Sequence, residues 1–319
     1  MSILAPIRTE RKLVEPIWGG QRLAAWLALP EPRPASLGET WQVFDTNPVV
    51  GAPGATLADL VRAHGAELVG TRSAARYGAD FPLLAKFLDA ADRLSIQVHP
   101  DDAYAHSREA HTGFHGKTEA WYILDAAPGA TVTYGLRRHC TREELAAAIA
   151  DGTVEELMAQ LPVRAGDVVF VPAGTLHAIN AGIVLFEIQQ KSDLTYRVYD
   201  YNRRDARTGQ LRELHLEKSL DVSRFAPAPH GTIAPLALEP GRDLLVACPY
   251  FALERWATDA LGEQRTDLGS FEILTLIGGA AELRWEGGAD TLARGDSLLL
   301  PAALGAYALR LDPDATILR

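Results

Sequence analysis

From residue 81 onward the chain breaks into short apolar runs separated by glycine and proline, and this punctuation constrains the fold more than any other feature. The runs 83–88, 94–99, 120–124, 130–134, 167–171, 183–190 and 196–201 have strand length, and Pro128-Gly129 marks one of the turns between them. Helical periodicity is confined to a few places. Residues 21–29 read as a short helix ended by Pro30. Residues 56–69 place Leu57, Leu60, Val61 and Leu68 near one face behind a Thr56 cap. Residues 141–150 and 153–161 also read as helix, the first opened by a Thr141/Glu144 capping box. With a further strand over 39–44, the pattern predicts a mainly β sandwich or barrel carrying helical additions.

A second β-rich stretch follows. Residues 226–241 are rich in Pro and Ala and read as a linker; strands are expected at 244–246, 251–256, 271–277, 281–285 and 297–300. Gly166-Asp167, an apolar run and Pro172-Ala173 recur as Gly295-Asp296, an apolar run and Pro301-Ala302. Each part is common alone, but its return in two β-rich halves favours a duplicated sandwich. The copies differ five residues after the proline, where His177 is answered by Ala306. The expected organisation is a domain over 1–235, with helical insertions near 51–75 and 141–161, and a smaller domain over 236–319 that lacks the counterpart of His177.

The chain has 319 residues and is 47% hydrophobic, enough for a full core. Its net charge of −10 argues against a nucleic-acid partner, whose phosphates call for a basic surface. No apolar run reaches the ~20 residues a membrane helix needs, and the first twelve residues meet charge too early for a leader. Cys140 and Cys248 stand far apart and read as reduced thiols, which points to the cytoplasm.

Four residues have ligand chemistry at strand ends or turns. On a strand over 94–99, Ser95, Gln97 and His99 share a face opposite Leu94, Ile96 and Val98. Glu119 opens the apolar run 120–124, next to Lys117, and His177 follows a Pro/Gly turn. Singly, these read as an exposed face, a surface ion pair and an ordinary turn histidine. Together, two imidazoles, a carboxylate and an amide suit Zn²⁺, with Fe, Mn or Co also fitting. A second cluster runs from Glu187 to Arg203. Glu187 and Gln189 share one face, and Arg197, Tyr199 and Tyr201 another; a solvated edge strand and a phosphate site both fit this density.

The ordered set Phe87-Leu88-Asp89-Ala90, Gln97-x-His99-Pro100-Asp101-Asp102, Gly116-Lys117-x-Glu119-Ala120-Trp121-Tyr122, Val171-Pro172-x-Gly174-x-x-His177 and Glu187-x-x-Gln190-x-x-Asp193-x-x-x-Arg197 closely resembles the short bacterial type I phosphomannose isomerases. The resemblance runs from Trp18-Gly19-Gly20 to Leu214-His215-Leu216-Glu217-Lys218. It implies two cupin domains, small jelly rolls, the first carrying one zinc ion per chain. It implies His99, Glu119, His177 and Gln97 as metal ligands, short members of the family binding through the first three alone. Arg197, Lys117, Glu187 and Asp193 would serve catalysis. Ser95, Lys86 and Arg203 would meet the substrate, Arg203 standing where the family has a lysine. The implied reaction is zinc-dependent interconversion of mannose 6-phosphate and fructose 6-phosphate through an enediol or enediolate, with a phosphosugar as the small-molecule partner. A monomer and a homodimer are both compatible with the sequence. An isomerase of another phosphosugar and a non-catalytic double-cupin sugar-phosphate sensor are the rivals.

Overall fold

The structure, a computed structural model, describes residues 5–204, 209–229, 231–257 and 261–319. Residues 1–4, where the leader argument begins, and residue 230, inside the expected linker, lie outside that set. The chain divides into two compact units: residues 13–40 with 86–234, and residues 1–12 with 41–85 and 235–319. The stretch 41–85 thus counts with the C-terminal residues.

Nine strands frame the candidate site: β1 (Leu83–Ala90), β2 (Ile96–Val98), β3 (Glu119–Ala126), β4 (Thr131–Leu136), β5 (Met158–Pro162), β6 (Val168–Val171), β7 (His177–Ile179), β8 (Ile183–Gln190) and β9 (Tyr196–Tyr199). One six-stranded sheet runs Lys12–Val14, Glu39–Val43, β1, β8, β3, β6 and the other runs β9-β2-β7-β4-β5. Leu88, Trp121, Ile123, Val171 and Leu185 of the first share a buried core with Val132, Tyr134 and Ile179 of the second, so the two sheets form a sandwich. The outer face of the second sheet is also covered. Ile96, Val98, Ala178 and Val198 pack with Leu145 and Ile149 of the helix Arg142–Ala150 and Leu220 of the helix Leu216–Val222. Apolar residues of β2 therefore face helices, and its alternate residue, Gln97, faces the sandwich.

The C-terminal residues build a second sandwich. One sheet runs Leu236–Glu239, Arg242–Ala247, Ala252–Trp256, Thr316–Leu318, Glu272–Gly278, Ser297–Leu300; the other runs Glu263–Arg265, Ala306–Leu311, Ala280–Trp285, Gly288–Ala293. Leu274, Leu298 and Ile317 of one meet Leu283, Leu292 and Leu309 of the other in its core. The sequence repeat is a structural repeat. Gly166 and Gly295 take φ of 90° and 89°, a region glycine enters without steric cost. In both copies the aspartate carboxylate accepts the N–H three residues back, from Arg164 at 2.9 Å and Ala293 at 3.0 Å. The strand that follows is Val168–Val171 in one copy and Ser297–Leu300 in the other. His177 and Ala306 each open the next strand.

Four expectations change. Residues 153–161 are not a helix but a 3₁₀ turn, Val154–Leu157, followed by β5, which pairs with β4 at the sheet edge. Pairing there overrides local helical preference, and an edge position tolerates Pro162. The helix expected over 56–69 breaks at Gly65, φ 50°, into Leu57–His64 and Ala66–Val69, with Thr71–Tyr77 beyond. The expected linker contains the strand Leu236–Glu239, exposed on both faces and so without apolar alternation. Tyr201 leaves the strand at φ 56°, so it does not share a face with Arg197 by strand alternation. The Thr141/Glu144 capping box is present, and the expected Thr56 cap is a capping box as well, closed by Asp59.

The second sandwich carries a charged network in its wall. Arg319 reaches Glu254 at 3.1 Å and Glu272 at 2.7 Å; Arg242 also holds Glu254, and Tyr307 donates to Glu272 at 2.7 Å. Removing Arg319 leaves two largely buried carboxylates short of a partner. Arg319→Met is expected to cost about 3 kcal/mol of stability, read as a lower urea midpoint; an unchanged midpoint would mean that the network contributes nothing net.

Candidate active site and metal centre

The strands change character at one end of the first sandwich. Core positions Leu88, Ile123, Leu185 and Ile179 give way, one alternation or more along the same strands, to Lys86, Glu119, Glu187 and His177. Cross-strand register explains why the acids converge. Glu187 stands opposite Trp121 and Gln189 opposite Glu119, so all four side chains share the inner face. Gln97 stands opposite both His177 and Arg197 in the other sheet.

His99, Glu119 and His177 form the group of ligand atoms among the described residues, all within 4.8 Å of one another. His177 Nε2 lies 3.2 Å from Glu119 Oε1, and His99 Nε2 lies 3.5 Å from Glu119 Oε2. Each imidazole is oriented from behind. His99 Nδ1 is 2.9 Å from the Leu194 carbonyl and His177 Nδ1 is 2.8 Å from the Thr175 carbonyl. A carbonyl only accepts, so each Nδ1 carries a proton and each Nε2 is turned on the group. Gln97 Nε2 lies 3.3 Å from His177 Nε2, which brings the amide to the same point. The indole of Trp121 packs edge-on against His177, ring centroids 5.6 Å apart, and closes the apolar side.

Two lysines balance the acids. Lys117 Nζ lies 3.0 Å from Glu119 Oε2, 3.1 Å from His99 Nε2 and 4.0 Å from Glu187. Lys86 Nζ lies 3.4 Å from Glu187 and 3.1 Å from Glu39. Burial alone would raise the Glu119 carboxyl, but Lys117, His99 and His177 outweigh it and hold it well below the usual carboxylate range. Burial, with Lys117 adding to it, drives His99 down and keeps it neutral. Burial acts against the charge on Lys86 too, but Glu187, Glu39 and Glu119 prevail and raise its pKa. Glu187 goes the other way: burial and the Glu119 charge push its carboxyl up to about 7 against the pull of Lys86 and Lys117.

Two imidazoles whose Nε2 atoms face inward and an ionised carboxylate are a fitting ligand set for a divalent cation such as Zn²⁺. The buried Glu119 Oε2 has the Lys117 ammonium nearby but accepts no hydrogen bond, which leaves a coordination direction open.

The other expected site residues are distributed as follows. Ser95 is buried immediately before β2. Arg197 lies in β9, where its Nη1 donates to the Glu213 carbonyl at 2.8 Å, while its buried Nε has no partner among the described residues. Burial, then Arg212, lowers its pKa, and Arg203 adds to the effect. Arg203 is held by Asp200 at 2.6 Å and Asp92 at 3.3 Å, its Nε likewise without a hydrogen-bond partner. Asp193 is exposed and makes no described contact with the His99–Glu119–His177 group. Its neighbour Leu194, through a main-chain carbonyl, orients His99. Trp121 stands in the quoted motif without a role, and neither Glu39 nor the carbonyls of Thr175 and Leu194 are singled out from sequence. Main-chain acceptors leave no residue-type signal, and Glu39 joins Lys86 only through the fold.

Residues 7–132 match the family model described as "Phosphomannose isomerase type I, catalytic domain", and residues 242–310 match "Mannose-6-phosphate isomerase, cupin domain". A mannose-6-phosphate isomerase of Streptococcus mutans is 36% identical over 98% of this chain and 97% of its own. The mannose-6-phosphate isomerase ManA of Bacillus subtilis is 38% identical over 92% of both chains. The crystal structure of a B. subtilis mannose 6-phosphate isomerase superposes with a TM-score of 0.83 at 34% identity over 99% of both chains. A Salmonella typhimurium phosphomannose isomerase shares the fold, with a TM-score of 0.79 at 17% identity over 99% of both chains.

Proposed function

Since the chain belongs to the type I phosphomannose isomerases, we propose that it interconverts mannose 6-phosphate and fructose 6-phosphate with a divalent metal, zinc, held by His99, Glu119 and His177, and with Gln97 beside them. The chain is an enzyme, a mannose-6-phosphate isomerase on a cupin fold. The observation that carries the metal reading is the pair of imidazoles locked from behind by carbonyls, with both Nε2 atoms turned on one buried carboxylate.

The reaction moves a proton between C1 and C2 through an enediol or enediolate. The bound metal supplies positive charge that stabilises a developing oxyanion. The chain's own residues supply the rest. Glu187 is the better base of the two acids singled out from sequence. It is buried beside both lysines with its carboxyl near 7, whereas Asp193 is exposed. Lys117 and Lys86 flank Glu187 and stabilise its ionised form. Arg197 and Arg203 offer buried Nε–H donors to a dianionic phosphate, which would also relieve their mutual repulsion. Anchoring that remote group orients the reacting carbons.

The test is a coupled isomerase assay on mannose 6-phosphate, run as purified, after chelation and after zinc is restored. Activity lost on chelation and regained with zinc supports the proposal. A zinc-loaded protein without turnover, or one faster on a different phosphosugar, would overturn the substrate assignment. The pH profile tests the base. A base works ionised, so kcat/KM rises with pH through its pKa. Glu187 stands near 7, and a cation on Glu119 adds positive charge that draws it down. The acid limb is therefore expected between the ordinary 4.5 and 7. Glu187→Gln is expected to abolish that limb along with ~10³-fold of the rate; an unaltered limb in the variant would assign the proton to another group.

A further inference from the structure

β9 is the edge strand of its sheet, so on one side its backbone groups have no strand to pair with. At Arg197 both of those groups are answered by a single residue. The Arg197 N–H donates to His215 Nδ1 at 3.0 Å, and the Arg197 carbonyl accepts from the His215 N–H at 2.8 Å. The guanidinium is held two residues earlier, by the Glu213 carbonyl. His215 is itself fixed. It stands at the N-cap of the helix Leu216–Val222, its carbonyl accepts from Ser219 at 2.8 Å, and that helix buries Leu220 in the layer that covers β2 and β9.

We propose that His215 is a positioning residue for the isomerase reaction: its imidazole and its backbone N–H together replace the missing strand neighbour and hold the stretch of β9 that places Arg197 over the substrate. This rests on the reading of Arg197 as a group that touches substrate. The bond from Arg197 N–H requires a bare Nδ1, and so a neutral ring carrying its proton on Nε2. The surroundings keep it so. Burial and the Arg197 charge, with Lys218 adding to them, push the His215 pKa down, against weaker upward pulls from Glu213 and Glu109; the Tyr196 ring packs 6.2 Å away. No sequence motif announces this role, because the acceptor is a side chain and both groups it serves are main chain.

The experiment compares His215→Ala, His215→Asn, Arg197→Ala and the double variant Arg197→Ala/His215→Ala in the full-length, metal-loaded enzyme. A displacement of about 1 Å in a positioned group costs on the order of 10²-fold. His215→Ala is therefore expected to lower kcat roughly 10- to 100-fold, with metal content and unfolding midpoint close to wild type. His215→Asn, whose Oδ1 lies where Nδ1 lies, is expected to recover most of the loss. In the Arg197→Ala background the His215 substitution should cost nothing further. Wild-type kcat in His215→Ala, or an equal loss in both backgrounds, would overturn the positioning role while leaving Arg197 in the reaction. Full activity in Arg197→Ala would instead remove the underlying reading, and this proposal with it.

Discussion

His99→Ala is expected to leave a folded protein that no longer holds its metal and turns over mannose 6-phosphate at least ~10³-fold more slowly. Three residues supply the buried ligand atoms, and His99 contributes one of the two imidazoles. With it gone, Glu119 and His177 cannot bind a divalent ion tightly, and Gln97, a neutral amide, is a weak substitute. The fold should tolerate the change. The ring is buried at the end of the core rather than in its middle, and its backbone bond is to the Leu194 carbonyl, in the loop that leads into β9. Metal analysis after gel filtration, circular dichroism and the coupled assay check this together. A variant that retains one equivalent of metal and near-normal turnover would dismiss the three-ligand site.

Lys117→Met is expected to change metal affinity and activity in opposite directions. The ammonium lies 3.0 Å from Glu119 and 3.1 Å from His99 Nε2, so it competes with any cation for the same lone pairs. Two unit charges ~4 Å apart interact by roughly 4 kcal/mol at the effective dielectric of such sites. The flexible lysine stem can swing away, so part of that is recovered as affinity: about tenfold tighter zinc in competition with a chromophoric chelator. Activity should fall nonetheless. One of the two cations facing Glu187 is lost, its carboxyl rises further, and the acid limb of kcat/KM moves to higher pH. Zinc affinity that drops as it does in His99→Ala would mean that Lys117 supports the ligands rather than opposing them.

Much of the architecture was legible from residue types. Short runs between Gly and Pro became strands, and the threonine caps opened their helices. The recurring Gly-Asp turn returned in both sandwiches with the same hydrogen bonds. These features depend on neighbours within a few positions, where sterics and local donors decide. Misreadings fell where distant pairing decides. Residues 158–162 joined an edge because β4 was available, and the exposed strand 236–239 had no apolar face to betray it.

The candidate site divides along the same line. His99, Glu119 and His177 could be named from ligand chemistry at strand ends, Gln97 from alternation along β2, and Lys86, Glu187 and Arg197 from the family motif. Their arrangement could not. That Lys86 joins Glu39, that Glu187 faces the lysines rather than solvent, and that Asp193 lies outside the group follow from cross-strand register and burial. The sequence by itself determined the strand-rich, duplicated scaffold, the inward alternation of each strand and the identity of the side chains with ligand chemistry at the strand ends, because those follow from local geometry and residue chemistry. Only the tertiary structure decided which carboxyl stays near neutral pH, which carbonyls orient the two imidazoles, and that His215 closes the open edge beside Arg197. A pKa and a hydrogen-bond partner are set by what lies a few ångströms away in space, and those neighbours come from strands far apart along the chain.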